Sequence, residues 1–134
     1  MIIWEATNGA YINWEHIGVE LTCLETTHDG TLAFVGSKNG VLRVYNVANW
    51  SMPKLLKIEK YSSHPITVLR ESPNRKYLLI GARGDKDFWV LNASSLDFEC
   101  FFEMPSEIKD ISWLQFGSNT MVVGILENTC LFSV

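Results

Sequence analysis

The chain has 134 residues, 47% of them hydrophobic, with 11 Lys+Arg against 15 Asp+Glu and a net charge of −4. This is the size of one ordinary domain with enough apolar side chain for a packed core, which excludes a disordered tail. The absence of a basic patch, and apolar runs such as Met121 to Leu126 that fall far short of the roughly 20 residues of a membrane helix, leave no expectation of a nucleic-acid or membrane partner.

In chain order, "MIIWEA" at the N-terminus and the stretch from Tyr11 to His16 are the first two strands. "ELTCLETTHDGTLAFVG" (20–36) is a hairpin: two alternating apolar strands around the turn His28-Asp29-Gly30, ending on glycine. A second turn at Asn39-Gly40 leads into "VLRVYN" (41–46), and Leu55 to Lys60 is the next strand. "PITVLRESPNRKYLLIG" (65–81) repeats the hairpin around Ser72-Pro73-Asn74, followed by "DFWVLN" (87–92) and Phe98 to Glu103. "EIKDISWLQFGSNTMVVG" (107–124), turning at Phe116-Gly117-Ser118-Asn119, and "NTCLFS" (128–133) close the series.

These segments repeat. Gly36-Ser37 recurs as Gly81-Ala82 and as Gly124-Ile125, a period in the forties. Four short strands per period, with turns throughout and no helical run, make the pattern of a propeller blade. Alternate residues of each strand point to opposite faces, and a small sheet cannot cover both faces alone, so such units come in series. The expected core is Leu21, Leu24, Leu32, Phe34, Val44, Val68, Leu78, Ile80, Val90, Ile111, Val122 and Leu131.

Residues 20–47, "LTCLETTHDGTLAFVGSKNGVLRVYNV" within them, resemble a WD40 repeat: an apolar strand, a polar turn, a glycine-serine step, Asn39-Gly40 at the second turn, and a final strand. The family's closing tryptophan-aspartate stands as Trp4-Glu5 and drifts to Tyr45-Asn46, Leu91-Asn92 and Phe132-Ser133. The family's buried histidine set is incomplete, with only His16 and His64 near the histidine position. The resemblance implies an all-β chain, part of a WD40-like β-propeller of about three four-stranded antiparallel blades, two complete and two partial. Residues 1–19 hold the last two strands of one blade, 20–64 and 65–106 a blade each, and 107–134 three strands of another. Propellers close with about four to eight blades, so the chain is expected to be an excerpt that forms no closed ring by itself.

No nucleotide-binding loop, nucleophile elbow or zinc-protease motif occurs, so neither catalytic residues nor a cofactor are expected. His16, His28 and His64 lie in separate turns or linkers, which argues against a metal, and Cys23, Cys100 and Cys130 show no CxxC spacing, as suits reduced thiols used as small hydrophobes. Arg83-Gly84-Asp85 matches an integrin-binding tripeptide, but an extra residue in an exposed hairpin is the stronger reading. The resemblance places the loops around Lys38, Asn39, Ser63, His64, Arg83, Asp85, Lys86, Asp87 and Glu127 on one face, with Trp50 in a loop at the other end. Loops on rigid sheets carry most binding residues.

The expected role is therefore a non-catalytic protein-interaction scaffold whose partners are other proteins or further blades of a longer chain, within a multiprotein complex. The rival is a propeller enzyme or small-ligand binder with a central-channel site, against which stand the mostly apolar inner strands "LTCL", "ITVL" and "IKDISWL", apart from Lys109 and Asp110. The N-terminus lacks signal-peptide features, so an intracellular, cytoplasmic setting is expected. Cilia and flagella, with a cytoskeletal or axonemal location, vesicle coats and ribosome assembly are the settings the resemblance offers.

Overall fold

A computed structural model describes the backbone of residues 2–4, 11–14, 17–126 and 129–133, and the side chains of 17–126. Among these residues every regular element is a strand. β1 (Ile2–Trp4) pairs with β2 (Tyr11–Trp14). β3 (Leu21–Thr26), β4 (Leu32–Ser37), β5 (Val41–Asn46) and β6 (Lys54–Lys60) form an antiparallel meander. β7 (Ile66–Glu71), β8 (Tyr77–Ala82), β9 (Asp87–Asn92) and β10 (Phe98–Glu103) form a second, and β11 (Ile108–Phe116), β12 (Asn119–Leu126) and β13 (Thr129–Ser133) a three-stranded sheet. The first strands of the sheets are neighbours, β7 lying between β3 and β11, and the sheets form an open series rather than a ring.

The hydrophobic residues are buried between sheets. Phe34, Leu42 and Val44 meet Ile66, Leu69, Leu78, Ile80 and Leu91 in one layer. Val68, Leu79, Phe88 and Val90 meet Ile108, Ile111, Val122 and Leu126 in a second. Ala33, Val35 and Tyr45 gather with Ile17, Leu21 and Val47 on the remaining face of the β3–β6 sheet. On that face too, paired with Val35, is Arg43, whose Nη1 is buried with no hydrogen-bond partner among the described residues. Polar bonds also join the sheets: Thr22 Oγ1 donates to the Ile66 carbonyl, Arg70 Nη1 to that of Ile111 (2.7 Å), and Trp113 Nε1 to that of Arg70 (2.8 Å).

Most of the expected core is buried, Leu21 and Leu32 partly so, and Leu131 lies outside the described side chains. Leu24 is a correction: it is 58% exposed. Each first strand carries a bulge, at Leu21/Cys23, Ile66/Val68 and Ile108/Asp110. An extra residue there rotates the following side chains, so Leu24 faces away from the second sheet, at the position where Leu69 is covered by the first. The third glycine is also displaced. Gly36 and Gly81 pair with Cys23 and Val68, but the matching partner of Asp110 is Ile125, and Gly124 pairs with Ile111 instead. The tight Phe116↔Asn119 turn lengthens this hairpin and shifts the motif by one residue. Gly36 is required by packing: a Cβ there would sit 2.8 Å from Ile66 Cγ2.

Candidate interaction face

The β4–β5 turn folds on its own hydrogen bonds. Gly40 N–H donates to the Ser37 carbonyl (3.1 Å), and Ser37 Oγ lies beside Asn39 Oδ1 and 3.0 Å from the Val41 carbonyl. The Gly40 carbonyl in turn accepts the Tyr61 N–H at 2.9 Å, which fastens the turn to the linker of residues 61–65. Gly40 has φ +78°, and a Cβ on it would lie 1.8 Å from the Ser62 carbonyl oxygen. Glycine is the residue that satisfies both conditions.

The same linker is held from its other side by the β8–β9 turn. Ser62 Oγ donates to Asp85 Oδ2 at 2.7 Å and accepts the His64 N–H at 2.9 Å. Asp85 Oδ1 accepts the N–H of Lys86 (2.7 Å), and the Asp85 carbonyl accepts that of Ile108 (3.0 Å). The His64 ring lies over Gly84, with Nδ1 3.9 Å from Asp85 Oδ2. Linker 61–65 is thus clamped between two turns, and three sheets meet at one face.

Burial acts to raise the Asp85 pKa, but the hydrogen bonds from Ser62, Asp87 and Lys86 and the nearby His64 lower it overall. A carboxyl whose folded pKa is depressed contributes stability that is present above its unfolded value, about 4, and is lost as pH falls through the folded value. Asp85→Ala should therefore cost about 1–2 kcal/mol near neutrality, a typical loss for such hydrogen bonds. The difference from the parent chain should shrink as pH falls below about 4. Denaturation midpoints followed from neutral pH into that acid range measure it; a difference independent of pH would contradict the assignment.

The structure brings Lys38, Asn39, Ser63, His64, Arg83, Asp85, Lys86 and Asp87 to this face, and Glu127 lies outside the described residues. Lys38, Asn39, Ser63, His64, Arg83 and Lys86 are exposed, whereas Asp85 and Asp87 are partly buried. The carboxylate of Arg83-Gly84-Asp85 is turned inward to Ser62 and its own turn. Trp50, 53% exposed, stands apart in the β5–β6 loop beside the exposed Met52. His28 is in the β3–β4 hairpin, its N–H on Glu71 Oε1 (3.0 Å), so it does not join His64, and His16 lies outside the described residues. Among the described residues no three metal-ligating side chains gather.

Sequence reading missed a groove of about 350 Å³ at the hairpin end of the first two complete sheets, lined by Asp29, Leu32, Leu56, Glu71, Arg75 and Ser94 among others. Hydrogen bonds from Thr27 and Thr31, helped by the charge of Arg75, hold the Asp29 carboxyl down at about 2. The signal was in the turns: Gly30 (φ +73°) and Arg75 (φ +63°) are the left-handed residues of the β3–β4 and β7–β8 hairpins.

No protein-family model and no curated protein matches the sequence. Solved structures do. The crystal structure of the RRP9 WD40 repeats superposes with a TM-score of 0.66 at 19% identity over 82% of this chain. These sheets are WD40-like propeller blades. The β-propeller domain of Myceliophteria thermophila Cps50 (Swd1) agrees, with a TM-score of 0.64 at 14% identity over 87% of the chain. The chain spans 33% and 39% of those two structures. In the WD40-like frame β3, β7 and β11 are the inner strands of their blades, β6 and β10 the outer ones, and the clamped linker joins the outer strand of one blade to the inner strand of the next.

Proposed function

We propose that this chain is a non-catalytic interaction scaffold that docks other proteins on the face built by the β4–β5 turn, linker 61–65 and the β8–β9 turn. The clamped linker is the observation that carries this reading, because it holds loops from separate blades in one fixed arrangement. Lys38, Arg83 and Lys86 extend from backbone positions set by bonds to the Glu20 carbonyl, Thr67 Oγ1 and Asp85 Oδ1. A partner that meets preset loops loses less free energy to ordering them. Three exposed cations on a chain of net charge −4 suit a partner segment bearing carboxylates. Trp50 offers a separate aromatic contact at the opposite end. The same face would serve within a longer propeller or a multiprotein complex.

The test is the combined variant Lys38→Glu, Arg83→Glu, Lys86→Glu, compared with the parent chain carrying a photo-crosslinker at Ser63. Proteins crosslinked at that face should fall by about tenfold or more in the variant, equivalent to about 1.4 kcal/mol, with near-ultraviolet circular dichroism unchanged. Equal recovery by both chains sinks the proposal.

A further inference from the structure

The outer strands of the two complete blades carry opposite charge. β6 reads Lys54-Leu55-Leu56-Lys57-Ile58-Glu59-Lys60, with three lysines and one carboxylate. The stretch Asp97-Phe98-Glu99-Cys100-Phe101-Phe102-Glu103, containing β10, has three carboxylates and no base. Each strand ends its sheet, hydrogen-bonded to β5 or to β9 on one side, and β6 and β10 are not bonded to each other. Both present apolar side chains to solvent: Leu55, Leu56 and Ile58 on β6, Phe98 and Phe101 on β10. Lys54, Lys60, Asp97 and Glu103 are exposed, and none has an ion-pair partner among the described residues.

Charge on an edge strand prevents pairing between like edges. That protection reverses when an edge of the opposite sign is available, and this chain carries both signs. We infer that β6 of one copy pairs antiparallel with β10 of a second copy and continues the sheet across the two molecules. With the bulge residues Leu56 and Glu99 left out of the ladder, one register sets Lys54 opposite Glu103, Leu55 opposite Phe102, Ile58 opposite Cys100 and Lys60 opposite Asp97. Opposite charges and aromatic–aliphatic pairs directly across an antiparallel ladder are both stabilising. The contact joins two different surfaces, so repeating it strings copies head to tail rather than limiting them to a dimer. Both strands are outer strands, so the contact is independent of the loop face considered above.

Sedimentation of the chain across protein concentration and salt tests the inference. Association should be strong at low ionic strength and weaken by about tenfold or more near 1 M salt, where exposed charges are screened. The variant Lys54→Glu, Lys60→Glu makes both edges acidic, and the variant Asp97→Lys, Glu103→Lys makes both basic. Each alone should be monomeric, and an equimolar mixture should associate again, because every β6 then meets a β10 of opposite sign. Recovery on mixing also shows that both variants are folded. A parent chain that stays monomeric, variants that associate as it does, association insensitive to salt, or a mixture that stays monomeric would each overturn the proposal.

Discussion

Gly40→Ala should destabilise the chain by more than about 3 kcal/mol, an unusually large loss for adding one methyl group. The new Cβ would sit 1.8 Å from the Ser62 carbonyl oxygen and 2.5 Å from its carbon, both backbone atoms that cannot rotate away. Relief requires moving linker 61–65, which breaks the Tyr61 N–H bond to Gly40 and disturbs the Ser62 bond to Asp85. Gly30→Ala separates this clash from the cost of the left-handed backbone, since Gly30 has φ +73° with nothing within 4 Å of its Cβ position. It should cost only about 1–2 kcal/mol. Denaturant midpoints at constant slope give both values, and similar losses for the two would show that the turn and linker are not in contact.

Phe88→Ala and Phe34→Ala should each cost about 3–5 kcal/mol, the range for truncating a buried aromatic. Phe88 is 1% exposed and stacks on Phe102 with ring centroids 4.8 Å apart; Phe34 is fully buried in the other inter-sheet layer. Because they lie in different layers, the double variant should equal the sum of the singles to within about 0.5 kcal/mol. Phe116→Ala, at a residue 72% exposed, should lie within about 0.5 kcal/mol of the parent. Equilibrium unfolding of the four chains checks the set. A loss at Phe116 comparable to that at Phe88 would mean that the strand faces have been assigned to the wrong sides.

Much of this was legible in the primary structure because strands and turns are local. The alternation that buries Leu42 and Val44 needs only a period of two, and Asn39-Gly40 needs only the backbone freedom of glycine. Leu24 failed because its burial depends on a neighbouring sheet and its direction on a bulge, neither of which alternation encodes. The displaced Gly124 followed from hairpin length, a property of the turn rather than of the glycine. At the candidate face, loop positions could be read, but the inward turn of Asp85 could not. Its acceptor role depends on Ser62, which lies on another blade's linker 23 residues away.

The inter-sheet layers on the two sides of β7–β10 share no residue. The buried side chains among the described residues are therefore divided into separate layers rather than gathered in one core. The chain's stability is that of a short linear lattice, in which each boundary contributes its own term and neighbours communicate only through the sheet between them. β7–β10 is the site common to both terms, so a disturbance at either end reaches the other by deforming that sheet. Damage confined to the β3–β6 side can leave the β11–β13 boundary closed, whereas releasing the middle sheet opens both boundaries at once.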